Sequence, residues 1–139
     1  MANTTQGFTL VEILIVIGIL GILLGVLVPS LLSARRSAVE ASALTTLRNV
    51  INAAETARTD ALVFTSATEC RAVPNSSTPT YGPGNVIESC QIIQDNDRTY
   101  GVVKSSTGSY HVFNGGSMFK RSTSVAPSVT ALSAINSSN

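Results

Sequence analysis

The sequence is short of the side chains that do chemistry. It has no tryptophan, a single histidine and two cysteines, and only 12% of its 139 residues are charged. One histidine cannot build a multi-histidine metal centre, and Cys70 and Cys90 form no C-x-x-C pair, so no metal site or redox motif is readable. There is no glycine-rich phosphate loop, no dinucleotide fingerprint and no G-x-S-x-G elbow. Nine basic and eight acidic residues give a net charge of +1. Spread along the chain, they form no basic patch of the kind that holds nucleic acid. The residues suggest no catalytic group and no cofactor, and no enzyme activity is expected of them. What the sequence does have is a run without a charge from 13 to 34, ILIVIGILGILLGVLVPSLLSA. As a helix it is roughly 33 Å long, enough to cross a hydrocarbon core of about 30 Å.

The residues leading into that run are Gly7-Phe8-Thr9-Leu10-Val11-Glu12. An acid at the edge of hydrocarbon is costly, and a simple anchor has no use for it. This hexapeptide resembles the processing motif of the type IV pilin family position by position, and the apolar helix, Pro29, Arg35, Arg36 and a small polar C-terminal region continue the likeness. The resemblance covers about the first 60 residues. It implies an α+β fold in which a long N-terminal helix, half membrane-spanning and half amphipathic, packs on a small antiparallel sheet. It also implies cleavage between Gly7 and Phe8 by a prepilin peptidase, N-methylation of Phe8, and a Glu12 carboxylate that neutralises the Phe8 amine of a neighbouring subunit. Gly18, Gly21, Gly25 and Pro29 then belong to assembly: small residues let helix backbones approach, and Pro29 deprives the Gly25 carbonyl of its partner. The precursor would wait in the inner membrane, with the lipid bilayer as its first partner. Assembly machinery there would turn it into a homo-oligomeric helical filament, a surface pilus serving motility, adhesion or DNA uptake. The same N-terminal motif is shared by type II secretion pseudopilins and minor competence pilins. A membrane-tethered binding module with an uncleaved anchor is the competing class.

The expected divisions are a leader at 1–7, the membrane half of the helix at 8–34, an amphipathic half at 35–62, a connecting loop at 63–97, and a β-meander with its tail at 98–139. The leader carries no Lys or Arg, and Arg35 and Arg36 lie beyond the run, which opposes the usual inside-positive bias. In the amphipathic half Val39, Ala43, Leu47, Val50, Ala54, Ala57 and Ala61 form the apolar stripe, widened by Leu44 and Ile51. Arg36, Glu40, Arg48, Asn49, Asn52, Glu55 and Thr59 form the polar side. Glu55 and Arg58 are spaced as an i,i+3 pair. Outside the cytoplasm Cys70 and Cys90 should be bridged, closing a loop worth about 3 kcal/mol.

The 63–97 stretch holds three prolines and two glycines, and a short element at 86–93 reads equally as helix or strand. Three β-prone runs follow at 99–104, 109–114 and 117–121, separated by Ser105-Ser106-Thr107-Gly108 and Gly115-Gly116. Val102, Tyr110, Val112 and Phe119 are the candidates for the face against the helix, and 125–135 for an added edge strand. His111, inside an alternating strand pattern, is expected to face solvent. Asp95-Asn96-Asp97 reads as a turn rather than an incomplete calcium loop.

Overall fold

The computed structural model describes residues 7–77, 80–122 and 127–131, in two compact units, 1–36 and 37–139. Of the expected leader only Gly7 is described, and of the strand expected at 125–135 only 127–131, where 129–131 is helical rather than extended. Helix α1 spans Leu10–Thr59 and passes through Gly18, Gly21, Gly25 and Pro29 without leaving helical geometry. In the first unit every large apolar side chain from Leu10 to Leu32 is at least half exposed. Among the described residues this is the one helix long and apolar enough to cross a membrane.

In the second unit the later turns of α1 pack on a sheet of five strands whose spatial order is their chain order. The strands are β1 (Thr68–Glu69), β2 (Ile87–Gln94), β3 (Thr99–Ser105), β4 (Tyr110–Asn114) and β5 (Met118–Arg121), every neighbouring pair antiparallel. This is the α+β arrangement that the resemblance implies. The three runs expected as strands are β3, β4 and β5. The ambiguous element is strand β2, so the 63–97 stretch is not a plain connecting loop. It carries β1, a short 3-10 turn at Cys70–Ala72, and a strand in the middle of the sheet. Cys70 and Cys90 join that turn to β2 by a buried disulfide, Cα to Cα 5.4 Å.

α1 stops three residues before the expected end at Leu62. Ala61 adopts a left-handed conformation (φ 63°), its N–H bonds the carbonyl of Arg58, and the N–H of Leu62 bonds the carbonyl of Ala57. That pair of bonds is a Schellman cap. Ala61, which fits the apolar period, is therefore outside the helix and exposed.

The stripe Ala43, Leu47, Val50, Ile51, Ala54 and Ala57 is buried as expected. It meets Cys70, Cys90, Ile92 and Val103. The sheet face chosen from the sequence was the wrong one. Val102, Val112 and Phe119 do lie side by side across β3, β4 and β5. However, with Tyr100, Tyr110 and Ile93 they form a second cluster, on the side away from α1 and covered by Val129. Both faces are buried, so alternation along β3 carries no information about which one the helix covers. Gly101 marks the helix side: a Cβ there would fall 2.7 Å from Cδ1 of Leu47.

Candidate processing and assembly site

Thr9 precedes the first helical residue, and its carbonyl receives the N–H of Ile13 at 3.4 Å. Its backbone N–H and its hydroxyl both donate to Oε2 of Glu12, each at 2.9 Å, while the Glu12 N–H reaches back to Thr9 Oγ1 at 3.3 Å. This is a capping box, the reciprocal bonding of an N-cap Thr with a Glu three residues on, and it satisfies N–H groups that a helix start leaves orphaned. Glu12 also sits where the helix dipole favours negative charge. Its other oxygen, Oε1, takes no hydrogen bond among the described residues. Glu12 thus caps its own helix through one oxygen alone. The Thr-x-x-Glu spacing was readable from the sequence, though no role was assigned to Thr9.

Gly7, Phe8, Thr9 and Glu12 line one open concavity. Phe8 is 83% exposed, and a Cβ on Gly7 would meet nothing within 4 Å. Nothing among the described residues requires glycine there. The same holds at Gly18, Gly21 and Gly25, where an added Cβ would meet open space. At about 100° per residue, positions 18, 21, 25 and 29 fall on one side of the helix, three of them without a side chain.

A second polar constellation, at the start of the other unit, escaped sequence reasoning. Glu40, expected on the polar side of the helix away from the sheet, turns to the sheet instead. It accepts hydrogen bonds from Ser105 Oγ at 3.1 Å, from Thr107 Oγ1, and from His111 Nε2 at 2.8 Å, with Lys120 Nζ at 3.0 Å. His111 is buried rather than solvent-facing because it lies beside Val103 on the helix side of the sheet. Burial pushes the Glu40 pKa upward, but the hydrogen bonds from Thr107, Lys120, His111 and Ser105 outweigh it and hold the pKa at about 2. Glu55 is likewise not simply solvated. It pairs with Arg58 at 3.1 Å as the spacing predicts, and it also receives the hydroxyl of Thr99.

Arg58 goes on to bond the carbonyls of Asp95 and Asn96 at 2.9 and 2.8 Å. Asp95 Oδ1 takes the N–H groups of Asp97 and Arg98. The Asp-Asn-Asp triplet is therefore a turn pinned by a guanidinium. Among the described residues no group of three or more His, Cys, Asp or Glu side chains is placed to hold a metal ion.

Residues 3–28 match the family described as the prokaryotic N-terminal methylation motif. The match spans Gly7, Phe8, Glu12 and the three glycines Gly18, Gly21 and Gly25, and it is consistent with a type IV pilin-like prepilin. No curated protein and no solved structure matches the chain.

Proposed function

We propose that the chain is a structural subunit of a type IV pilus. One observation carries the reading: Gly7-Phe8 and a half-free Glu12 carboxylate stand at the head of an apolar helix that its own fold leaves uncovered. A membrane covers that surface before assembly, and the same helix of other subunits covers it afterwards.

In this reading a prepilin peptidase hydrolyses the Gly7–Phe8 bond and methylates the new Phe8 amine. Removing 1–7 exposes a cation next to Thr9, where Oε1 of Glu12 on a neighbouring subunit can accept its N–H. Both charges leave water, so leaving either without the other is heavily penalised. The Gly18, Gly21, Gly25 and Pro29 side admits a neighbouring helix. An assembly ATPase and a platform protein drive the transfer from bilayer to filament, and the globular unit faces outward, where motility, adhesion or DNA uptake would be served.

The test has two arms. N-terminal sequencing of the native protein is expected to start at methylated Phe8; a start at Met1 or Ala2 contradicts processing and favours an uncleaved tether. Glu12→Val is expected to insert into the membrane yet assemble no filaments, and abundant normal filaments from it as sole subunit refute the pairing role.

A further inference from the structure

Between Glu12 and Glu40 the only charged residues are Arg35 and Arg36. Both are exposed, and neither takes part in an ion pair among the described residues. From sequence the obvious counter-ion is Glu40, four residues after Arg36, because i,i+4 charges on a helix are neighbours. The structure removes that partner: the Glu40 carboxylate is committed to Ser105, Thr107, His111 and Lys120. Glu55, the next acid along the helix, is held by Arg58 and Thr99. Two guanidiniums are thus left uncompensated where the apolar run ends. Counted from Glu12 they lie about 35 Å along the helix, the far phosphate level of a bilayer.

We propose that Arg35 and Arg36 bind the phosphates of anionic phospholipid headgroups at the end of the bilayer opposite Glu12. The proposal rests on the membrane-anchored reading and names what the anchor recognises. A guanidinium presents a planar fork of donors that matches a phosphate in two-pronged fashion, and its aliphatic stem can follow the apolar helix surface to the headgroups. Adjacent residues point about 100° apart around a helix, so the two side chains serve separate lipids rather than chelating one. The arrangement also answers the inverted charge bias of the sequence, because cations on the side where positive residues are disfavoured are neutralised by lipid. A subunit leaving for a filament must release both headgroups, so the pair acts as a retention device for the membrane pool.

The experiment reconstitutes the full chain in phosphatidylcholine vesicles holding trace spin-labelled phosphatidylglycerol or spin-labelled phosphatidylcholine, and reads the fraction of each label immobilised at the protein. About five-fold preference per arginine is the upper expectation. After averaging over the lipids around the helix, a roughly two-fold or larger preference for phosphatidylglycerol is expected. It should fall to parity in the Arg35→Gln/Arg36→Gln double variant, be reduced but not abolished in Arg35→Lys/Arg36→Lys, which keeps the charge and loses the fork, and weaken in high salt. Parity in the unaltered chain, or a preference that persists in the glutamine variant, overturns the proposal. Release of the unaltered chain from vesicles by alkaline carbonate would overturn the membrane reading with it, whereas retention with parity overturns the headgroup pairing alone.

Discussion

Glu40→Gln tests how far one carboxylate holds the globular unit together. The substitution keeps volume and hydrogen-bonding capacity but removes the charge facing His111 and Lys120. In the folded chain the pKa is held at about 2 against an ordinary value of 4.5. At about 1.4 kcal/mol per unit, that difference corresponds to roughly 3 kcal/mol of stability at neutral pH. Because Lys120 is half exposed and its share is screened by water, about 2 kcal/mol is the working figure. The sign follows from the folded pKa lying below the unfolded one. The contribution is present above pH 4.5 and is lost as pH falls through 2, below which both states carry a protonated acid. Thermal unfolding of the full chain in detergent, followed by circular dichroism, is expected to show Glu40→Gln melting about 5 to 10 °C lower at pH 7. The gap between variant and parent should close between pH 4.5 and 2. Equal melting temperatures at pH 7, or a gap unchanged at pH 2.5, would refute the reasoning.

Three further expectations follow from particular residues. Cys90→Ser is expected to lower stability by about 3 kcal/mol in urea titration by opening the loop to Cys70, and free-thiol labelling of both cysteines in the unreduced native protein would contradict the bridge. Ala61→Gly is expected to raise stability by about 0.5 to 1 kcal/mol, because the left-handed conformation at the helix cap suits glycine; a loss would show that the cap is not maintained in solution. In assembled filaments the segment 18–29 is expected to unwind near Pro29, since surrounding protein tolerates freed carbonyls that lipid penalises, and density with regular helical bonding throughout that segment would refute this.

What could be read in the sequence was local. The uncharged run, the Gly7 to Glu12 motif, and the strands β3 to β5 between Gly-rich turns all announce themselves within a few residues. Pairings set by the tertiary fold did not. Glu40 and His111 are 71 positions apart, and nothing in either neighbourhood points to the other. Val102 and Val103 are both buried, so an alternation argument could not choose the helix side. β2 stayed ambiguous because Ile87–Gln94 lacks a clean period of two, a consequence of a bulge at its start and burial on both faces toward its end. The helix end was misplaced because Ala61 continues the apolar period while taking a backbone conformation usually given to glycine.

Because the five strands lie in space in the order in which they occur in the chain, the sheet can grow one hairpin at a time, with β1 to β5 added in sequence. From β2 to β5 the pairings close short turns and need no distant partner, which favours quick formation, whereas residues 70–86 separate β1 from β2. The bonds to Glu40 are different. Its four partners come from the end of β3, from the β3–β4 turn, from β4 and from β5, so the carboxylate is fully matched only when the last strand is in place. A chain stalled at three strands would lack His111 and Lys120 against that acid. The helix therefore carries, near the end of its apolar half, a charge whose state distinguishes a finished domain from an unfinished one.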